Sequence, residues 1–166
     1  MCAKQLNDKD VMNILIDTAL SNGATAADCV LSRSRGLSLT RRLGKDETLE
    51  RYEDFDTGLR VFVGNQIASV STNDNSETSI RDVAKRAVDM AKIAPQDDFS
   101  LIASQETLND FPIQNSISVD SYDEVEPNID IIRDRAKEVE DSALSVKGIT
   151  NSDGADASWG EGETLL

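Results

Sequence analysis

Apolar residues recur at helical spacing in three stretches of the chain. The first covers about residues 10–21, with Asp8 or Asp10 as its N-terminal cap. The second covers about residues 76–94, and Ser76 suits its cap position. The third covers about residues 127–146, and its apolar stripe consists of Ile129, Ile132, Ala136, Val139, Ala143 and Leu144. We therefore expect three amphipathic helices, each covering part of a core.

The residues between the first two helices alternate as strands do. Residues 27–35 are predicted to form a strand, and a loop at residues 34–36 is predicted to reverse the chain because Gly36 accepts the left-handed conformation. A further turn is predicted at Gly44-Lys45. Residues 47–55 are polar and have the character of an edge strand. Several antiparallel strands are expected here.

The strongest strand signal is at residues 58–64. Gly64-Asn65 is predicted to be a two-residue hairpin turn, because glycine and asparagine accept the positive φ of the primed turn types. Val63 would then pair with Gln66. This register places Leu59, Val61, Val63, Ala68 and Val70 on one face and Phe62 and Ile67 on the other. A hairpin that is apolar on both faces is expected inside the fold.

Residues 94–127 form an acidic stretch with neither helical nor strand periodicity. No Lys or Arg occurs between Ile93 and Ile132. We interpret the stretch as an extended acidic arm within the domain that docks through a few apolar anchors, although charge runs are more often solvated connectors. The candidate anchors are Phe99, Leu101, Leu108, Phe111 and Ile113.

The last part of the sequence combines strand and turn signals. Turns are predicted at residues 153–154 and 160–162, and residues 164–166 resemble the start of another strand. The candidate interface residues are Trp159, Leu165 and Leu166. We expect residues 1–166 to be the front part of a longer protein, because an unpaired final strand needs a partner. The predicted fold class is α+β, a mostly antiparallel sheet with three helices.

Composition excludes several classes of function. With 39% hydrophobic and 29% charged residues, the chain has the composition of a globular domain. A net charge of -14 opposes direct binding to nucleic acid or an anionic membrane, because both attract clustered Lys and Arg. Two cysteines, Cys2 and Cys29, are too few for a disulfide framework. With no apolar run of membrane-spanning length, we expect a cytoplasmic protein.

The sequence contains no histidine, which removes much of the chemistry available to enzymes. Ser-His-Asp and Cys-His catalysis require an imidazole base, and zinc sites draw on His and Cys. We therefore predict no catalytic, cofactor-binding or metal-binding residue in this chain. Residues 73–76 and 151–156 faintly resemble calcium loops, but they lack the ligand spacing and are predicted to form turns and caps.

One basic concentration interrupts the acidic sequence. It consists of Arg33, Arg35, Arg41, Arg42 and Lys45. Such a cluster is compatible with an acidic partner or nucleic acid. On hairpin strands it is more often a solvated face or a set of ion pairs, here with Glu47, Glu50 and Asp54.

Four segments, in this order, resemble a known family. Gly58-Leu-Arg-Val-Phe-Val-Gly64 is followed by Ala68-Ser-Val-Ser-Thr-Asn-Asp74. Ala91-Lys-Ile-Ala-Pro95-Gln-Asp-Asp-Phe99 and Ile149-Thr-Asn-Ser-Asp-Gly-Ala155 follow at a distance. Together they resemble the N-terminal domain of the TldD/PmbA family, long labelled modulator of DNA gyrase, on its PmbA (TldE) side. The resemblance covers nearly the whole chain.

The resemblance implies a bacterial cytoplasmic protein several times this length, in which residues 1–166 are a single N-terminal domain of a larger two-domain protein. Family members resemble subunits of a TldD-TldE metallopeptidase that acts in proteolysis of unfolded or flexible peptides. Zinc is expected in the catalytic TldD half, on a His-Glu-x-x-x-His helix that this sequence lacks. The implied partners are the C-terminal domain of the same protein, a TldD-like subunit in a hetero- or homodimer, and peptide substrate in the full complex. The chain alone is expected to be inactive.

A second hypothesis belongs to a different class of function. The charge of -14 and the acidic arm are compatible with a stand-alone interaction protein that modulates a nucleic-acid enzyme such as DNA gyrase. That hypothesis predicts salt-sensitive binding by the chain alone, whereas the peptidase-subunit hypothesis predicts none.

Overall fold

A computed structural model describes residues 6–99, 101–104, 106–107 and 119–166. Its elements are α1 (Asp8–Ser21), β1 (Ala26–Arg42), β2 (Lys45–Val63), β3 (Gln66–Thr72), α2 (Glu77–Ile93), α3 (Ile129–Leu144) and β4 (Ala155–Leu165). The strands form a sheet in the order β3-β2-β1-β4. The prediction of an α+β fold with a mostly antiparallel sheet is confirmed.

The chain divides into two compact units. Unit 1 comprises Met1–Ser32, Phe55–Ser118 and Thr164–Leu166, and unit 2 comprises Arg33–Asp54 and Val119–Glu163. Strands β1, β2 and β4 each contribute residues to both units. That residues 1–166 act as one domain, with residues 94–127 as an arm, stays a prediction.

Helix α1 begins at Asp8 because the residue before it is the cap. The Asn7 side chain accepts a hydrogen bond from the Asp10 backbone N–H at 2.9 Å. The prediction of Asp8 or Asp10 as the cap is therefore wrong. Both lie in the first turn, where carboxylates interact favourably with the helix dipole. The buried face of α1 consists of Val11, Leu15, Thr18 and Ala19.

Helix α2 matches its prediction closely. Ser76 is the N-cap and accepts from the Ser79 N–H, and the helix ends at Ile93, ahead of Pro95. The apolar stripe is buried and consists of Ile80, Val83, Ala84, Ala87, Val88 and Ala91. Helix α2 packs against α1 and β3, so these alanines allow the elements of unit 1 to approach closely.

The hairpin of β2 and β3 has the predicted register. Val63 pairs with Gln66, and Leu59 pairs with Val70. Gly64 has a φ of 60°, which suits the first position of a two-residue hairpin turn. Leu59 and Val61 are buried in the core of unit 1, and Phe62 is buried on the opposite face.

Two predicted turns lie inside continuous strands instead. Residues 34–36 belong to β1, and residues 160–162 belong to β4, so both turn predictions are wrong. The glycines serve the packing of Tyr52. A Cβ at Gly36 would lie 2.5 Å from a carbon of the Tyr52 ring, and a Cβ at Gly160 would lie 3.3 Å from its hydroxyl oxygen. Absence of a side chain, rather than chain reversal, explains these glycines.

The predicted apolar anchors of the acidic arm fall into two groups. Phe99 is 94% exposed and Leu101 is 66% exposed, so their prediction as docking anchors is wrong. Leu108, Phe111 and Ile113 lie outside the described residues. The arm begins with a bond from the Asp97 N–H to the Asn65 carbonyl at 2.8 Å, next to the hairpin turn of unit 1.

Unit 2 has a small core of its own. Helix α3 is capped by Asn128, whose side chain accepts from the Ile131 N–H at 3.0 Å. Its buried face meets the apolar residues of β1 and β4. The core consists of Leu37, Leu39, Ile132 and Ala136, with half-buried Ile129, Ala157 and Trp159 packed against it. Val139, predicted on this stripe, is 57% exposed.

Candidate functional site

Unit 1 contains an open groove of about 960 Å³. Helix α1 forms one wall with Met12 and Ile16, and the strands contribute Leu59, Val70 and Leu165. A concave surface of this size and mainly apolar character is typical of sites that bind small molecules or peptide segments.

An ion pair lies in the polar part of this groove. The Arg60 guanidinium donates to the Asp28 carboxylate, with an Nε to Oδ1 distance of 3.0 Å. This hydrogen bond raises the pKa of Arg60. The guanidinium carbon of Arg60 also lies 5.4 Å from the centre of the Phe62 ring, a cation-π distance. Asp28 and Arg60 therefore hold each other in place and largely cancel in charge.

Cys29 lines the groove and carries a thiol, a potential nucleophile. Burial raises the pKa of its thiol, and the nearby Asp28 carboxylate raises it further. Because the thiolate is the reactive form of cysteine, both effects keep Cys29 unreactive at neutral pH. Its surroundings thus favour a packing role, and Cys29 belongs to the core of unit 1.

The three candidate interface residues lie in different surroundings. Leu165 packs partly against the core of unit 1, and Leu166 is 94% exposed; both line the groove. Trp159 lies in unit 2, half-buried, with the Arg35 guanidinium carbon 5.5 Å from its ring centre. The structure does not bring Trp159 into the groove, and an interface role for any of the three stays a prediction.

Unit 2 contains a buried carboxylate that the sequence analysis missed. Glu140 is 1% exposed and accepts hydrogen bonds from the backbone N–H groups of Leu43 at 2.5 Å and Gly44 at 2.9 Å. These two residues form the turn between β1 and β2, and both have positive φ, 47° and 78°. Arg41 Nε lies 3.6 Å from the same carboxylate. Glu140 therefore holds the tip of this hairpin.

The sequence did contain a signal for this role. Glu140 follows Ile132 and Ala136 at intervals of four residues, so it lies on the same face of α3. An acidic residue in line with an apolar stripe is buried only when it has partners. What the sequence could not provide was the identity of those partners, which lie nearly a hundred residues earlier in the chain.

Ion pairs engage part of the predicted basic concentration. Arg41 pairs with Asp46 at 3.0 Å, and Asp46 also receives Arg133 at 2.7 Å. The hydrogen bond from Arg133, and then the one from Arg41, lower the pKa of Asp46. The same carboxylate raises the pKa of Arg133. Ion pairing of these arginines agrees with the prediction, but the partners of Arg41 are Asp46 and Glu140 rather than the acids proposed from sequence.

A second ionic group surrounds Arg35. It pairs with Glu126 at 3.1 Å and with Glu161. Arg51 joins the group through Glu126 at 3.0 Å. The hydrogen bond to Glu161 raises the pKa of Arg35. These links tie β1, β2 and β4 to the segment before α3, and because they are exposed each contributes little to stability.

The residues that faintly resembled a calcium loop form a turn and a cap. Asp74 accepts from the Ser76 N–H at 2.9 Å, and this bond lowers the pKa of Asp74. Ser76 in turn caps α2, so the prediction for residues 73–76 is confirmed. Within the described residues, no cluster of three or more Cys, Asp or Glu side chains could hold a metal ion.

Comparison with known proteins finds similar sequences over most of the chain. The model of the PmbA/TldA metallopeptidase domain 1 matches residues 27–91. The Metalloprotease PmbA homolog of Haemophilus influenzae is 27% identical over 154 residues, which is 92% of this chain. Metalloprotease PmbA of Escherichia coli O157:H7 is 28% identical over 151 residues. The chain is therefore similar in sequence to PmbA metalloproteases, and its residues 27–91 are similar to domain 1 of the PmbA/TldA metallopeptidases.

Solved structures of other proteins share the fold. A candidate modulator of DNA gyrase from Bacteroides thetaiotaomicron superimposes with a TM-score of 0.77 over 95% of this chain, at 24% identity. TldE from Thermococcus kodakarensis gives a TM-score of 0.71 over 93% of this chain, at 16% identity. This chain covers 35% and 34% of those chains, respectively.

The match to curated relatives is partial in length. The chain spans 33% of the Haemophilus protein and 32% of the Escherichia protein, about a third of each. In the part of the chain that the structure describes, none of the helices has the length and apolar character needed to traverse a bilayer.

Proposed function

We propose that this chain is the amino-terminal, non-catalytic domain of a PmbA/TldE-type subunit of a cytoplasmic bacterial metallopeptidase that cleaves flexible peptides. The observation that carries the proposal is the domain 1 match within a chain that aligns over 92% of its length with a protein named as a metalloprotease. The absence of histidine from the sequence supports a non-catalytic role.

The proposed activity depends on groups outside this chain. We assign the zinc to a TldD-type partner subunit, and the remaining contacts of the subunit to a C-terminal domain of the same protein. The residues of this chain would provide a binding surface and would not take part in the chemical step. The groove of unit 1, lined by Met12, Ile16 and Val70, offers an apolar surface for an extended peptide.

The test combines the complete subunit that contains this chain with the TldD-type subunit of the same bacterium. We expect cleavage of an unstructured fluorogenic peptide by the mixture, loss of cleavage on chelation of the metal, and no cleavage by this subunit alone. Cleavage by this subunit alone, or none by the mixture, would contradict the proposal.

A pair of serine variants tests the groove. Ser69 lines it, whereas Ser71 lies two residues along the same strand and is exposed. Ser69→Trp should fill the groove and raise KM several-fold with little change in kcat, because the chemistry takes place elsewhere. Ser71→Trp should leave KM unchanged. Equal effects of the two variants would exclude the groove from substrate binding.

The acidic-interaction hypothesis makes a different prediction. A chain with a net charge of -14 that bound DNA gyrase would do so with an affinity that falls steeply as salt rises. Salt-sensitive binding of purified gyrase by this chain, together with an inactive subunit mixture, would favour that hypothesis over the peptidase proposal.

A further inference from the structure

The tip of the β1–β2 hairpin presents a leucine in an unusual way. Leu43 has a φ of 47°, in the left-handed region, and its side chain is 54% exposed. A scattered exposed leucine needs no explanation, but a bulky residue at positive φ is uncommon. Type I′ hairpin turns favour Asn, Asp or Gly at this position for that reason. The backbone conformation of Leu43 thus lowers the stability of the fold, and its exposed side chain gains little packing energy.

The unfavourable backbone of Leu43 is held in place from beneath. Glu140 receives the N–H groups of Leu43 and Gly44 while its own side chain is fully buried. Arg41 donates to the Gly44 carbonyl at 2.8 Å. The Leu43 N–H, the Gly44 N–H and the Gly44 carbonyl therefore already have hydrogen-bond partners within the chain, and these bonds fix the backbone that carries the leucine.

Positive charge flanks the exposed leucine. Arg41 is neutralised by Asp46 and Glu140. Arg42 donates to the Ser152 carbonyl at 3.3 Å, and Lys45 is exposed. Within the residues that the structure describes, neither Arg42 nor Lys45 is seen in an ion pair with a carboxylate. The tip thus has an apolar point with cationic flanks on a chain that is otherwise strongly acidic.

We propose that Leu43 is an anchor residue that inserts into an apolar pocket with a carboxylate rim on the TldD-type partner subunit. The inference rests on the proposed function for the identity of the partner. We assign carboxylates to the rim of the pocket because charge complementarity requires acidic side chains opposite Arg42 and Lys45. Backbone strain that the surrounding structure maintains is often found at functional sites, and a central apolar anchor is the usual form of a binding hot spot.

The decisive variant is Leu43→Asn in the complete subunit that contains this chain. Asparagine tolerates positive φ, so the variant removes strain and the apolar side chain together. We expect the Tm of this domain to rise by about 2–4 °C, while the Kd for the TldD-type subunit weakens on the order of 10-fold or more. A merely structural role would not separate the two measurements in this direction.

Two further variants serve as matched controls. Leu49 is also exposed, at 56%, but lies within β2 and not at positive φ, so Leu49→Asn should leave the Kd unchanged. Leu43→Met keeps an apolar side chain and should retain binding within a few-fold. An equal loss of binding in Leu43→Asn and Leu49→Asn would overturn the inference.

The remaining outcomes separate this inference from the proposed function. Wild-type binding that Leu43→Asn leaves intact would overturn the anchor and leave the metallopeptidase proposal standing. Failure of the wild-type subunit to bind the TldD-type subunit would overturn both. A lower Tm in Leu43→Asn would show that Leu43 stabilises the fold, which contradicts the strain on which the inference depends.

Discussion

The two hairpin turns of the sheet achieve the same chain reversal by different means. In the β2–β3 turn a glycine, Gly64, takes the positive φ, and a Cβ there would meet nothing within 4 Å. In the β1–β2 turn a leucine, Leu43, takes it, and the carboxylate of Glu140 on α3 holds the backbone. The first turn is encoded by its own residues, whereas the second depends on a helix that is distant in sequence.

Among the variants that test this comparison of the two turns, the largest loss of stability is expected at Glu140. Glu140→Ala should lower the free energy of unfolding by about 2–4 kcal/mol, because two backbone N–H groups and Arg41 lose a buried acceptor. Urea denaturation measures the change. Glu138→Ala, at an exposed position of the same helix, is the control and should have little effect. A small loss in Glu140→Ala would show that the turn supports itself.

An intermediate effect is expected at Gly64. Gly64→Ala should cost about 1–2 kcal/mol through the left-handed backbone alone, since no neighbouring atom would clash with the added methyl group. Gly64→Asn should cost less, because asparagine tolerates this conformation. Urea denaturation of both variants provides the measurement. Equal costs for the two would mean that side-chain contacts, not φ, determine the stability of this turn.

The smallest effect is expected at Asp46, beside the leucine turn. The folded state lowers the pKa of this carboxyl through Arg133 and Arg41, so Asp46 stabilises the fold at pH values above its ordinary pKa of about 3.9. That contribution should be lost as the pH falls through the lowered pKa. Asp46→Asn should therefore be slightly less stable than wild type at pH 7 and equal to it in strong acid. A difference that persists in strong acid would contradict the ionic explanation.

Locally encoded parts of the fold could be predicted from the sequence. The hairpin at Gly64 and helix α2 were predicted because the turn residues, the Ser76 cap and the periodic alanines all lie within the element that they specify. The prediction of Asp8 or Asp10 as the cap of α1 misses Asn7 by one or three positions, since Asn and Asp are both good cap residues and sequence alone does not rank them.

Features that depend on residues distant in sequence could not be predicted. Gly36 and Gly160 suggest turns, because sequence does not reveal that the Tyr52 ring occupies the space above them. Glu140 suggests a solvated residue, because its partners Leu43 and Gly44 lie nearly a hundred residues earlier in the chain. The candidate interface residues divide for the same reason: Leu165 and Leu166 reach the groove of unit 1, whereas Trp159 packs in unit 2.

The Tyr52 ring lies close to two glycines that belong to different strands, Gly36 of β1 and Gly160 of β4. If β1 slipped by one position, Arg35 or Leu37 would come beneath the ring, where even a methyl group has no room. The two glycines therefore help to determine the register of these strands, because only positions without a side chain fit beneath the ring. A redesign that replaced these glycines by residues with higher strand propensity would remove this constraint on register, although it would improve the local preference for strand.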